Sequence, residues 1–296
     1  MIQILLSSYN GARWLPEQLS SLDAQTHADW ELLARDDGST DSSQALLETY
    51  IQTRGRGRVL AGPNLGYLNS FFTLLKESTA PAVAFCDQDD VWLPHRLERA
   101  ATSLATIPPN EPGLHFSPFI VVDESLQPIQ ARTGGGTRFA FANALAECAA
   151  YGLTMTMNAA ARDLITSRLP RDPISHDWWC YLVVSATGRV LREPEPMVLY
   201  RRHTQNASQG SHRSIWQKAQ RFVREGAGRR VYRQAEELEA NFGNHMHKAA
   251  RQTLHRFLAA GQSRRAGLRY ALHPEIAREA PLDNLALRLL IATKRL

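Results

Sequence analysis

The chain has 296 residues, of which 44% are hydrophobic and 21% charged. That is the balance of an ordinary globular protein, and it excludes a disordered or fibrous chain. The length fits one large α/β domain with an appendage, or two smaller domains, and the net charge of +5 gathers in the last third of the chain. No apolar run is long enough to span a bilayer. The segment Met1–Leu6 lacks a basic n-region and a small-residue cleavage site, so it reads as a first strand and not as a signal peptide. Cys86, Cys148 and Cys180 are odd in number, far apart and not in metal-ligand spacing, which points to a reducing, cytoplasmic compartment.

In chain order the first half alternates strand and helix signals. Residues 2–7 form an apolar strand, and 14–22 a helix opened by Pro16 and Glu17. Residues 30–34 form a second strand that runs into Arg35-Asp36-Asp37-Gly38. Ser39 to Asp41 can cap a helix running to about residue 53. A short strand at 59–61 and a turn at 62–66 precede a helix to about residue 77. Residues 83–86 form a further buried strand, and 94–105 the next helix. Such repetition predicts a mostly parallel sheet with right-handed crossovers. Ligands bind such sheets outside the carboxyl ends of the strands. The polar clusters Ser7-Ser8-Tyr9-Asn10, Asp36-Asp37 and Asp87 to Asp90 each follow directly on an apolar run.

The second half reads differently. Residues 115–122 predict one strand, and 133–138 a glycine-rich connector without phosphate-loop spacing. Residues 152–158 alternate as a strand does. Ser175-His176-Asp177 caps a helix through Trp178, Trp179 and Leu182. Two late strands lie at 190–192 and 197–202. Beyond Ser211 the chain reads as helical, with breaks near Pro274 and Pro281.

The densest chemical signal is Phe85-Cys86-Asp87-Gln88-Asp89-Asp90-Val91-Trp92. Carboxylates this close repel one another, and a hard divalent cation such as Mg²⁺ or Mn²⁺ relieves the repulsion. A strand end that offers two carboxylates to a metal is suited to holding a diphosphate. The competing reading is a helix-capping loop, and Asp90 is the candidate cap for the helix near Pro94.

These clusters carry a family resemblance. Leu6-Ser7-Ser8-Tyr9-Asn10-Gly11, Asp36-Asp37-Gly38-Ser39-Thr40-Asp41, Asn64-Leu65-Gly66 and Asp87-Gln88-Asp89-Asp90 resemble the successive motifs of family 2 glycosyltransferases. Order and spacing match over roughly the first 200 residues. The segments Asp-Gln-Asp-Asp-Val-Trp, His-Asp-Trp-Trp and Tyr-Arg-Arg-His are similar to the rhamnosyltransferase-like branch that builds bacterial surface polysaccharides. The resemblance implies an α/β GT-A fold over residues 1–210, with a helical C-terminal extension over 211–296. It implies an inverting, Mn²⁺- or Mg²⁺-dependent transfer of a sugar from a nucleoside-diphosphate donor to a glycan or lipid-linked acceptor. The donor suggested by the branch is dTDP-L-rhamnose. A UDP-hexose or UDP-N-acetylhexosamine would meet the same residues.

Residue by residue, Ser8 and Tyr9 would line the nucleotide pocket, with the Tyr9 ring stacking on the base. One of Asp36 and Asp37 would accept the imide N–H of uracil or thymine, while the other turns the chain. Asn64 is a weaker nucleotide contact, as is Asn69. Asp87 would touch ribose or metal, and Asp89 would ligate the metal. His203 would complete the metal shell, and Arg201 or Arg202 would pair with phosphate oxygens. Asp177 would act as the general base that takes the acceptor proton; its plain alternative is a helix cap. His176, Trp178 and Trp179 are acceptor-side candidates, with one tryptophan expected in the core.

Two other classes compete. A nucleotidyltransferase would also use paired aspartates, but it would carry a glycine-rich phosphate loop that this chain lacks. A nucleic-acid-binding module would use the basic tail, yet no zinc finger, RRM or helix-turn-helix signature accompanies that charge. The cationic stretch from Arg213 to Arg233 instead permits peripheral contact with an anionic membrane, at the inner face of the bacterial cell membrane. The alternative is that its apolar positions pack against the rest of the chain.

Overall fold

A computed structural model describes residues 1–129, 135–204 and 227–293. In chain order the elements are β1 (Ile2–Ser8), α1 (Leu15–Asp23), β2 (Trp30–Asp36), α2 (Ser43–Arg54), β3 (Gly57–Ala61), α3 (Tyr67–Glu77), β4 (Ala82–Asp87), β5 (Val91–Trp92) and α4 (Arg96–Leu104). There follow β6 (Gly113–Phe116), β7 (Phe119–Val122), α5 (Phe141–Ala144), one 3₁₀ turn at Gly152–Thr154, β8 (Thr156–Asn158), α6 (Ala159–Ser167), α7 (His176–Thr187), β9 (Arg189–Arg192) and β10 (Val198–Arg201). The last four described helices are α8 (Ala227–Phe242), α9 (Lys248–Gln262), α10 (Arg264–Leu272) and α11 (Pro281–Ala292).

These elements divide into two compact units that do not follow chain order. The first holds Met1–Gly135, Ala150–Leu169 and Arg189–Thr204; the second holds Gly136–Ala149, Pro170–Gly188 and Gln205–Leu296.

The first unit is built on a seven-stranded sheet in the order β3-β2-β1-β4-β8-β6-β9. All pairings are parallel except those of β8, which runs against both β4 and β6. β1 is an interior strand between β2 and β4, and Ile4, Leu5 and Leu6 are completely buried. An apolar run that ignores alternation marks a strand covered on both faces. The amphipathic helices α1 to α4 supply that cover, each turning leucine or phenylalanine side chains inward. A second sheet of three strands, β5-β10-β7, carries the short Val91–Trp92 strand just after the acidic cluster.

Several elements differ from the sequence expectation. The single strand expected over 115–122 is two strands in two different sheets, broken at Ser117-Pro118. Pro118 cannot donate to a ladder, so the chain leaves one sheet there and enters the other. The expected strand at 152–158 begins as a 3₁₀ turn and is extended only over its last three residues. Helix α6 and the two-residue β5 are not among the elements expected from the sequence. Of the cationic stretch Arg213–Arg233, residues 213–226 lie outside the described residues, and so do 133 and 134 of the glycine-rich connector.

The second unit contains α5, α7 and α8 to α11. Ser175 caps α7 through its side chain, as the Ser-His-Asp pattern predicts. Trp179 and Phe242 pack ring against ring 6.2 Å apart in its core. Pro281 opens α11, at the second of the two expected breaks.

One buried group makes the first unit sensitive to acid. His115 on β6 is 1% exposed, and neither ring nitrogen has a hydrogen-bond partner among the described residues. Glu193 lies 3.9 Å away, beyond hydrogen-bond range. Burial, reinforced by the positive Arg96, pulls the imidazole pKa down to about 4. The unfolded chain takes up this proton near pH 6.5 and the folded chain only near 4. Stability therefore falls as pH drops through that window, by about 3 kcal/mol in all. In urea titrations between pH 7 and pH 4, His115→Gln should lack this component. Parallel profiles for the two proteins would refute the assignment.

Candidate active site

The site grows from the interior of the first sheet. β2 and β3 lie on one side of β1 and β4 on the other, all parallel, so the strand order reverses at β1. At such a reversal the connections diverge and leave a crevice outside the carboxyl ends. The register brings Ser8 level with Asp36, and Ser7 level with Asp87. The three polar clusters of the sequence thus share one edge.

Gln88, in the middle of the acidic run, joins two of these strand ends. Its side-chain carbonyl accepts hydrogen bonds from the Ser8 hydroxyl at 2.9 Å and the Tyr9 N–H at 2.8 Å, and its amide donates to the Tyr9 carbonyl at 3.1 Å. Gly11 leaves room for this clamp: a Cβ there would stand 2.1 Å from the Gln88 carbonyl oxygen. Tyr9 remains 48% exposed beside it, so the ring is open to a stacking partner. The next residue, Asn10, adopts a left-handed φ of 49°, a conformation asparagine tolerates. Asn10 accepts from the Thr40 N–H at 2.8 Å, and its own N–H donates to Ser39 at 2.9 Å. Loop after β1 and loop after β2 are thereby laced together.

The Asp36-Asp37 pair divides its tasks. Both are buried. Asp36 accepts from the Ser39 N–H at 2.9 Å through Oδ2, and its Oδ1 is closed to solvent without a hydrogen-bond partner among the described residues. Asp37 forms a buried ion pair with Arg35 and accepts from the Leu65 N–H at 2.8 Å, both through Oδ1. Arg35 also donates to the Pro63 carbonyl at 2.9 Å, so the 62–66 turn is held on Asp37 and its partner. Asn64 is exposed and accepts the Gly66 N–H at 3.1 Å, and Asn69 donates to the Leu65 carbonyl at 3.0 Å; both fold the turn locally.

At the end of β4, Asp89 Oδ2 lies 2.8 Å from His203 Nε2. The His203 ring stacks on Trp14, with centroids 4.7 Å apart and planes 23° from parallel. The carboxylate and imidazole of this pair are oxygen and nitrogen donors of the kind Mn²⁺ or Mg²⁺ accepts, and Asp87 lies two residues before Asp89 at the strand end. Among the described residues no group of three or more His, Cys, Asp or Glu side chains is placed so that it could hold a metal ion.

Two expectations in this region are corrected. Arg201 is 1% exposed, and its guanidinium is committed to protein. It donates to the Asp89 carbonyl at 3.0 Å and the Glu124 carbonyl at 2.8 Å, pairs with Glu17, and lies 4.8 Å over Trp14. It is a strut, whereas the neighbouring Arg202 is partly exposed and forms no ion pair among the described residues. Asp90 does not cap the following helix, whose N-cap is His95. Asp90 is buried and accepts the Arg201 N–H at 3.1 Å. Burial, with the charges of Asp89 and Asp87, pushes its carboxyl well above the usual range.

The remaining candidates belong to the second unit. Asp177 sits partly buried in the first turn of α7, where its Oδ1 accepts from the Ser175 hydroxyl and from the Trp178 N–H at 2.8 Å. Trp178 is partly buried and donates to the Ala144 carbonyl at 2.7 Å. Trp179 is fully buried and His176 nearly so, with the His176 pKa lowered by burial against the pull of Asp177. Trp179 is therefore a core side chain and not a sugar platform, as its place on the inward face of α7 requires.

Together these features are those of the GT-A fold. Residues 3–110 match the model of "Glycosyl transferase family 2". A glycosyltransferase of Nostoc sp. is 28% identical over 69% of this chain, and the chain spans 66% of that relative's length. The dTDP-rhamnosyl transferase RfbG of Shigella flexneri is 25% identical over 68% of this chain and 72% of its own. Among solved structures, S. aureus TarS 1-349 in complex with UDP-GlcNAc superposes with a TM-score of 0.58 at 15% identity, over 99% of this chain and 90% of its own. The mannosyltransferase PcManGT of Pyrobaculum calidifontis, in complex with GDP-Man and Mn²⁺, gives 0.53 at 16% identity, over 99% and 85%.

The Gln88 clamp was not legible beforehand, because glutamine carries no charge signal and its partners lie some eighty positions away. Gly11→Ala and Gln88→Ala should each lower stability by about 1–3 kcal/mol, the cost of undoing a partly buried hydrogen-bond set. The double variant should cost little more than either single one, since both remove the same contacts. Simple additivity in urea unfolding would show that the two residues act separately.

Proposed function

We propose that the protein transfers a hexosyl group, with inversion, from a nucleoside-diphosphate sugar to a hydroxyl of a bacterial surface glycan or its lipid-linked precursor. The observation that carries this reading is the Asp89–His203 pair at the carboxyl edge, beside the strand ends that carry Ser8, Tyr9, Asp36 and Asp37. Tyr9 is the stacking surface for the base. Asp37 is the better of the two carboxylates for the imide N–H, because both its protein contacts fall on Oδ1, whereas the unpartnered oxygen of Asp36 is closed to solvent. Asp89 and His203 would hold the cation, with Asp87 on cation or ribose. A bound Mn²⁺ or Mg²⁺ supplies neutralisation of the charge that gathers on the departing diphosphate. Arg202 is the side chain for phosphate oxygens that Arg201 cannot be.

Inverting transfer needs a base on the acceptor side. Asp177 is proposed for it, with Ser175 and the Trp178 N–H holding the carboxylate in one orientation. The likeness to RfbG supports dTDP-L-rhamnose as donor. The superposition on TarS with UDP-GlcNAc keeps a UDP-sugar as the second reading. No described helix is long and apolar enough to cross a membrane, so work on a lipid-linked acceptor would be done from the membrane surface.

A donor panel tests this. With Mn²⁺ present, one nucleoside-diphosphate sugar should release its diphosphate, slowly without acceptor. Asp177→Asn should bind that nucleotide as the wild type does, yet turn over at least about 100-fold more slowly. Release from no donor would refute the transferase reading, and unchanged turnover in Asp177→Asn would refute the base.

A further inference from the structure

We propose that the outer faces of α10 and α11 form a docking surface for an anionic lipid bilayer. The two helices pack on one another so closely that a Cβ at Gly267 would stand 2.5 Å from the Ile291 carbonyl oxygen. The inward side of α11 is apolar, with Leu287, Leu290 and Ile291 buried. Its outward side is apolar as well: Leu282, Leu285 and Leu289 are 54%, 55% and 57% exposed. On α10, Leu268 and Leu272 are 56% and 71% exposed. Five leucines open to water on two adjoining short helices have no folding rationale among the described residues.

The charges around them decide what the surface fits. At about 100° per residue, the exposed arc of α10 runs Arg264, Leu268, Leu272, Arg265, Arg269, which sets the leucines between arginines. Arg288 borders the leucine side of α11. All four arginines are exposed, and none forms an ion pair among the described residues. Asp283 is the one acidic residue within the two helices, and it is partly buried. A second copy of the chain would bring like charges together across a self-complementary contact. An anionic bilayer instead accepts leucines at the acyl boundary and arginines at the phosphates. The surface is built from residues other than the Arg213–Arg233 stretch, and binding to it requires neither donor nor turnover, so its failure would leave the transferase reading standing.

The test is sedimentation of the full chain with vesicles of phosphatidylcholine alone or with phosphatidylglycerol. At low salt the protein should follow only the anionic vesicles, and added salt should release it. Leu272→Asp with Leu285→Asp should weaken binding by about tenfold or more, and so should Arg264→Glu with Arg265→Glu. All four positions are exposed, so thermal unfolding should be unchanged. Absence of wild-type binding, equal binding to neutral vesicles, or full binding by the leucine variant would overturn the proposal. So would a wild-type dimer that the leucine changes dissociate.

Discussion

A buried guanidinium organises the candidate metal end of the first unit. Arg201 gathers the Asp89 carbonyl, the Glu124 carbonyl, the Glu17 carboxylate and the face of Trp14 around one cation, and its N–H reaches Asp90. A charge so enclosed is tolerable only when its donors are satisfied. Satisfying them draws the end of β4, helix α1 and the segment after β7 toward the end of β10. His203 follows two residues later and is set between Trp14 and Asp89. The pair that would meet the metal is thus positioned by a residue that does not meet it.

The nucleotide end rests on a different device. There the strand ends are joined by neutral hydrogen bonds through Gln88, and by the short loops that Asn10, Ser39 and Asp41 close on one another. Polar groups so tied cannot collapse onto the crevice, and Tyr9 stays open. Carboxylates that are neighbours in sequence therefore differ in kind. Asp37 is neutralised by Arg35, Asp90 is buried under Arg201's N–H, and Asp89 faces a histidine.

Much of this was legible in the sequence, and the limits are physical. Apolar runs ending in Ser8, Asp36 and Asp87 located the edge, because strand ends in a parallel sheet must sit together. The helices α1 to α4 were expected near their observed ranges, although the N-cap residue of none of them caps through its side chain. What sequence could not assign was the role of each member of a pair. Asp36 against Asp37 and Arg201 against Arg202 are decided by partners such as Arg35, Leu65, Glu124 and Glu17, the last more than a hundred positions distant. Pro118 did signal the broken strand, but not that its halves join different sheets. Trp178 and Trp179 differ only by which face of α7 they occupy, and the core claims Trp179.

The central claim is that Asp89, with His203, holds a divalent cation that grips the donor's diphosphate. Its most direct test is nucleoside-diphosphate affinity with and without Mn²⁺, in the wild type and in Asp89→Asn. The amide is close in shape and can still bond to His203, so the stack on Trp14 is preserved. Mn²⁺ should tighten binding to the wild type and leave the variant unchanged within about twofold. Equal tightening in both proteins would contradict the claim.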